Sequence, residues 1–349
     1  MNRFIIIKEY RKNSMTMPKA NQWKKATIMT LLFFAPFCSS GTEAFPSKEK
    51  QQPERPFAIG HRGAAGLLPE NTLASFRRAL ELGVDAVELD VQLSADGEVV
   101  VHHNFHLNPD MTRTPDGEWL KEKGPAIQTL TLAELKRFDV GRLKPFSPYA
   151  RRYPDQVPAD GERIPTLAEV ISLFKREAGE KTELWIEIKT SPEEPSSSPP
   201  EALSDAMMKI VDRENVSSRI RVLSFDWRSL VHLQKTVPGI STLYLSHMGG
   251  SPDNIQAGRP GISPWTAGID ADDHNGSVPR MVKAAGGRIW GTHYRELTEA
   301  LLAEAHRLGL EAGVWTVDKR SEMVRMIDMK VDGITTNRPD ILLSIPGMR

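Results

Sequence analysis

Residues 86–103 read Ala-Val-Glu-Leu-Asp-Val-Gln-Leu-Ser-Ala-Asp-Gly-Glu-Val-Val-Val-His-His, and this stretch decides the fold. Residues 86–93 form a short apolar run that holds two carboxylates, Glu88 and Asp90. A run of that length and composition predicts a buried strand. Ser94-Ala95-Asp96-Gly97 is a turn signal, because Asp-Gly supplies the backbone conformation a tight hairpin needs. Residues 99–102 then return as a strand antiparallel to the first. A two-residue turn at Asp96-Gly97 would pair Ala95 with Glu98 and set Asp90 opposite His103.

Outward from the hairpin, apolar runs alternate with helical patterns. Further strand candidates lie at 57–60, 184–188, 220–225, 242–245, 289–291, 312–317 and 333–335. Leu73, Phe76 and Leu80 share one helical face, with Asn71 or Thr72 to cap its start and Gly83 to end it. Thr131 with Glu134, and Thr166 with Glu169, have the spacing of a capping box. Leu297, Leu301, Ala305 and Leu308 form another stripe, closed by Gly309. Such alternation predicts an α/β fold with a parallel sheet. Once residues 99–102 are set apart as a return strand, eight parallel strands remain. The expectation is a (β/α)8 TIM-type barrel with an antiparallel return strand after the second strand and long loop insertions. Residues 57–345 would form this single domain, with an insertion at 104–165 that holds one clear short helix. Residues 191–200 and 246–280 are further long connections, and long loops in a compact domain usually carry function.

The chain has 349 residues and a formal net charge of zero, but its start is basic. Beyond residue 44 there are 38 basic residues against 43 acidic ones. A mildly acidic body offers no electrostatic footprint for nucleic acid. Lys24 and Lys25 precede an apolar run, 26–38, and small or polar residues follow; that order predicts a secretory signal over 1–44, cleaved near Ala44. Met15 or Met17 would suffice as its start. Residues 45–56 would then be a linker, and the protein would be exported, periplasmic or secreted. The single cysteine, Cys38, lies inside the signal, so the mature body has no thiol chemistry, disulfide or cysteine metal site. Lipidation of Cys38 is the rival reading and the one route to a membrane, but Phe37 stands where such signals carry a small residue.

Glu88 and Asp90 are two apart on a strand and point to the same side. Two carboxylates on one side of a buried strand repel each other unless a cation lies between them. A solvent-facing strand side is the alternative. Glu187 repeats the anomaly within residues 184–189, Leu-Trp-Ile-Glu-Ile-Lys, with Lys189 on its side. A third carboxylate from a second strand points to a hard-cation site with oxygen ligands, whereas Glu187 and Lys189 alone would read as an ion pair. His61-Arg62-Gly63 closes the first strand, and Arg62 offers a planar fork for phosphate. His103 is the second histidine expected at the carboxylates, as acid–base partner of His61. Trp315 either lines a pocket or sits in the core. His106, His232, His247, His274, His293 and His306 have no such context and are read as structural or surface residues.

Taken in order, Gly60-His61-Arg62-Gly63, Pro69-Glu70-Asn71-Thr72, Glu88-Leu89-Asp90-Val91, His102-His103, Glu187-Ile188-Lys189, Val314-Trp315-Thr316-Val317 and residues 332–339 resemble the glycerophosphodiester phosphodiesterase family. The resemblance implies a TIM-type barrel. It also implies one divalent cation, Mg2+ or Ca2+, on Glu88, Asp90 and Glu187, with His61 and His103 catalytic. Arg62 and Lys189 would hold phosphate, with Glu70 and Asn71 fixing the loop behind Arg62. The family's usual pair at the second histidine is His-Asp; here it is His103-Asn104, which removes a charge. The implied reaction is metal-dependent hydrolysis of a small-molecule glycerophosphodiester to sn-glycerol 3-phosphate and an alcohol, with no protein partner implied. A phospholipase D-type hydrolase of lysolipids or sphingolipids shares this barrel, and a non-catalytic binding protein on it is a further alternative.

Overall fold

The computed structural model describes residues 55–250 and 252–349; the signal, Cys38 and all of the linker but its last two residues lie outside them. The strands are β1 (Phe57–Gly60), β2 (Ala86–Leu93), β3 (Val99–Val101), β4 (Glu183–Ile188), β5 (Ile220–Ser224), β6 (Ser241–Ser246), β7 (Ile289–His293), β8 (Glu311–Trp315) and β9 (Gly333–Thr336). The helices are α1 (Leu73–Leu82), α2 (Leu132–Leu135), α3 (Leu167–Glu177), α4 (Pro200–Arg213), α5 (Trp227–Thr236), α6 (Val278–Ala284), α7 (Glu299–Arg307), α8 (Arg320–Asp328) and α9 (Pro339–Leu342). All strands but β3 run parallel, and pairing of β1 with both β2 and β9 closes the eight into the expected barrel.

Strand alternation sorts the side chains. Val87, Leu89, Val91, Leu184, Ile186 and Ile188 face the helices and join the main core. Ile59, Ala86, Trp185, Leu223, Leu243, Leu245 and Ile289 fill the barrel interior. At the amino end of the strands, Arg221 binds Glu183 at 2.6 Å and Glu311 at 3.1 Å, beneath Trp185. The barrel is therefore plugged at that end and open at the other, where parallel barrels carry their chemistry. Thr72, not Asn71, caps α1, and Gly83 ends it in the left-handed region. The two capping boxes form at α2 and α3. The insertion is more ordered than its composition predicts: Leu107, Ile127, Leu135, Val140 and Ile164 form a small core against Val100 of β3.

The hairpin register differs from the expected one by a residue. Val91 pairs with Val101 and Leu93 with Val99, so the turn holds three residues, Ala95-Asp96-Gly97. The Asp96 carboxylate accepts from the Ser94 hydroxyl (2.6 Å) and from Leu132 N (3.0 Å), and Gly97 takes a positive φ of 81°. That anchoring to the insertion favours the longer turn with glycine in the left-handed position. His102, not His103, therefore lies opposite Asp90, and its N–H donates to Asp90 O at 3.0 Å. His103 still lines the cavity, because β3 stops at Val101 and the chain leaves the sheet before strand alternation applies to it.

Candidate active site

The three acidic side chains come from two neighbouring strands, β2 and β4. Register pairs Asp90 of β2 with Glu187 of β4, and Glu88 lies two residues earlier on β2. One oxygen from each of the three carboxylates lies within 4.8 Å of the others. All three are buried. Glu88 Oε1 and Asp90 Oδ1 accept no hydrogen bond among the described residues. Unpaired buried carboxylate oxygens converging on one point are costly unless a cation completes them. Among the described residues, the ion pairs of Glu70, Asp90 and Glu187 run to two cations, Arg62 and Lys189, so with Glu88 also ionised the four carboxylates and two cations together carry a formal charge of −2. One divalent ion would neutralise it, so the donor set and the charge both fit a hard divalent cation.

The turn from β1 to α1 brings the arginine in. Gly63 has a φ of 88°, and a Cβ there would stand 2.5 Å from Ser75 Oγ, so only glycine lets the turn close on α1. Ser75 Oγ in turn donates to Arg62 O, and Arg62 N donates to Glu88 Oε2 at 2.8 Å. Arg62 Nη1 binds Glu70 at 2.8 Å, and its Nε lies 3.3 Å from Asp90. Lys189 Nζ donates to Glu187 at 2.7 Å and lies 3.8 Å from Asp90. Asn71 does not cap the helix; its Nδ2 donates to Asp90 Oδ2 at 2.8 Å.

His61, Arg62, Glu88, His103, Glu187, Lys189 and Trp315 line one cavity of about 500 Å³. Trp315 lines this cavity, its ring edge-on to Phe225 with centroids 5.2 Å apart, and it also packs against the barrel-interior cluster. A second cavity adjoins at His61, Arg62 and His103 and is walled by Tyr149, Arg152, Tyr153, Lys319 and Arg338.

The electrostatics divide the carboxylates. Burial, then Asp90 and Glu187, push Glu88 well above the ordinary carboxylate range. Burial also raises Glu187, against the pull of Lys189. Burial acts the same way on Asp90, but His103, Arg62, Lys189 and the Asn71 hydrogen bond outweigh it and hold Asp90 below its usual value. Burial and Arg62 lower His61 to about 4, and burial, Arg62 and Lys189 lower His103 well below its ordinary value. Burial therefore favours the neutral imidazole at both histidines.

Two partners of the site, one of His61 and one of the Arg62–Glu70 pair, were not legible in the sequence. Asn337 Oδ1 lies 2.7 Å from His61 Nδ1, while Asn337 Nδ2 donates to Asp318 at 2.8 Å. That second bond turns the amide oxygen toward His61, so Nδ1 carries the proton and Nε2 keeps its lone pair. The insertion supplies Tyr149, whose hydroxyl donates to Glu70, the partner of Arg62. Asn337 sits in a quoted motif, but nothing local shows that it meets His61 across the closing seam of the barrel. Contrary to expectation, His247 and His293 also have context: with Glu296 they form a second cluster at the carboxyl ends of β6 and β7.

A family model described as the glycerophosphoryl diester phosphodiesterase family matches residues 61–341. The chain is 31% identical over 294 residues to a glycerophosphodiester phosphodiesterase of Caldanaerobacter subterraneus subsp. tengcongensis, covering 82% of this chain and 96% of that one. It is 26% identical over 292 residues to one from Bacillus subtilis, covering 83% and 86%. A crystal structure from Silicibacter pomeroyi, provisionally named a glycerophosphoryl diester phosphodiesterase, is 34% identical with a TM-score of 0.73, covering 83% and 92%. An Oleispira antarctica phosphodiesterase, solved with its product sn-glycerol-3-phosphate, shares the fold at 23% identity and a TM-score of 0.61, covering 83% and 96%.

Proposed function

This chain belongs to the glycerophosphoryl diester phosphodiesterase family and is an enzyme of that class, and from that premise we propose that it hydrolyses glycerophosphodiesters to sn-glycerol 3-phosphate and an alcohol by metal-dependent, two-histidine catalysis. The observation that carries the reading is the set of three converging buried carboxylates with two oxygens that accept no hydrogen bond among the described residues, beside His61, His103, Arg62 and Lys189.

Glu88, Asp90 and Glu187 would hold the ion, and an all-oxygen donor set suits Mg2+ or Ca2+. When bound, such a cation supplies Lewis-acid polarisation of a phosphodiester oxygen and offsets charge developing there. Arg62 and Lys189, held by Glu70 and Glu187, present fixed positive charge to the same phosphate. One histidine takes the proton from the attacking oxygen, a water or the neighbouring glycerol hydroxyl; the other protonates the leaving alkoxide. Asn337 fixes the tautomer of His61 and leaves Nε2 free to accept a proton. The negative phosphodiester, once beside the pair, favours the imidazolium that donation requires. Trp315 and Phe225 offer an apolar wall for the alcohol or glycerol moiety.

The test is release of glycerol 3-phosphate from glycerophosphocholine by the body from Phe45 onward, after chelation and again with Mg2+ or Ca2+ restored. Release that stops on chelation and returns with the ion supports the reading. Activity on lysophosphatidylcholine alone would favour the lipid-acting alternative. Binding of metal and substrate without turnover of either would leave a binding protein.

Tyr149 donates to Glu70 and accepts from Arg62 Nη1 at 3.4 Å, so it is a positioning residue for Arg62. Tyr149→Phe removes the bond to Glu70 and the longer one from Arg62 and is expected to lower kcat/KM at least roughly tenfold, since one hydrogen bond to a charged group is worth about 1.5 kcal/mol. Steady-state kinetics check this, and wild-type values would reduce the contact to packing of the insertion.

A further inference from the structure

His247 and His293 sit side by side for a reason set by the sheet. Ser246, the last residue of β6, pairs with Thr292 of β7, so His247 follows directly beside His293. The chain then turns back, with Glu296 N donating to His293 O at 2.8 Å, and returns a carboxylate to the pair. His247 Nε2 lies 3.3 Å from Glu296 Oε1. One ligand atom from each of the three residues lies within 4.8 Å of the others, and all three are half-buried.

The frame around them is fixed. Both Glu296 oxygens lie 3.2 Å from Met248 N, and Oε2 lies 3.5 Å from Thr292 Oγ1. His247 N donates to Asn254 Oδ1 at 2.9 Å, and the buried Asn254 amide is tied to Phe225 O and Leu245 O. His293 contacts the rings of His247, Tyr294 and Trp315, yet its own ring nitrogens make no hydrogen bond among the described residues. A plain His247–Glu296 ion pair accounts for two of these residues and leaves the third idle.

We propose that His247, His293 and Glu296 form a second metal site, for a borderline transition-metal ion such as Zn2+, on the wall of the substrate cavity. Two imidazoles and one carboxylate are a recurrent donor set for Zn2+. Bonds of about 2.0–2.1 Å in a tetrahedron set the ligands roughly 3.3 Å apart, the separation seen between His247 and Glu296. Three protein ligands leave a fourth position for water or a ligand oxygen. His247 lines the main cavity, so an ion there borders the space that Trp315 also bounds. The two sites differ in chemistry: the carboxylate trio offers only hard oxygens, whereas this one offers nitrogen. The proposal does not depend on which diester is hydrolysed.

The experiment titrates the chelated, folded enzyme with Co2+ as a visible probe and then displaces it with Zn2+, in excess Mg2+. The expected result is intense four-coordinate absorption, abolished by one equivalent of Zn2+. Glu88→Gln should keep this signal, because it alters only the carboxylate trio. His293→Ala should lose it, and Zn2+ affinity should fall by at least about tenfold, the loss that even an outer partner of a metal ligand causes. Glu296→Gln, the milder change, should weaken Zn2+ binding in the same direction, with thermal melts showing that each variant is folded. Absence of the band in the wild type, or a Zn2+ affinity unmoved by His293→Ala in a folded variant, overturns the site and leaves an ion pair with an idle neighbour.

Discussion

Replacing His103 by alanine is expected to lower turnover roughly 100- to 10,000-fold, and replacing His61 by alanine to do the same, the range typical of positioned acid–base groups. Both line the cavity that Glu88, Glu187, Arg62 and Lys189 also line. Neither anchors the fold: His61 has Asn337 as its partner, and His103 lies beyond the end of β3. The loss should therefore fall on kcat more than on KM, because metal and phosphate contacts remain. The double variant should be little worse than either single one if the pair works as a unit. Steady-state kinetics on glycerophosphocholine with saturating metal check this, and near-full turnover by both single variants would sink the acid–base scheme. Asn337→Ala supplies a finer control. It leaves the imidazole present but frees its tautomer, so the loss should be smaller and the pH profile should move.

Glu88 and Asp90, two residues apart on one strand, should respond to neutralisation with opposite sign. Both Glu88→Gln and Asp90→Asn should abolish metal-restored activity, since each removes a buried carboxylate from the trio proposed to hold the ion. Their effects on the metal-free fold should diverge. Asp90 is held below its ordinary pKa, so its charge stabilises the folded state above the unfolded value, and that contribution is lost as pH falls through the folded one. Asp90→Asn breaks its ion pairs with Arg62 and Lys189, and losing one partner of a buried pair costs about 3–5 kcal/mol. Glu88 is pushed the other way: its contribution is present at low pH and is lost as pH rises through its raised folded pKa. Glu88→Gln should therefore raise the melting temperature of chelated protein at alkaline pH, with the gain shrinking on acidification. Added Mg2+ or Ca2+ should reverse the order by stabilising only the wild type. Melting curves across pH, with and without metal, measure all of this. A chelated Glu88→Gln protein that melts below the wild type at alkaline pH would show that no uncompensated charge resides at Glu88.

The alternation of apolar strands with capped helices, the hairpin at Asp96-Gly97, and Glu88, Asp90 and Glu187 within apolar strands are local properties of the chain. Strand period, capping geometry and the cost of a buried carboxylate act over a few residues, so the sequence alone determined the barrel and the acidic trio as a candidate site. Tertiary structure decided what depends on neighbours distant along the chain. The three-residue turn, pinned by Leu132 of the insertion, shifted the register that a two-residue turn would have set. Closure of β1 against β9 brought Asn337 to His61 across 276 residues, and the folded insertion carried Tyr149 to Glu70. Pairing of β6 with β7 placed His247 beside His293, although each had stood in the sequence without context. Side chains on adjacent parallel strands are separated along the chain by a helical crossover, so no local pattern records their meeting; only the register of the closed sheet does.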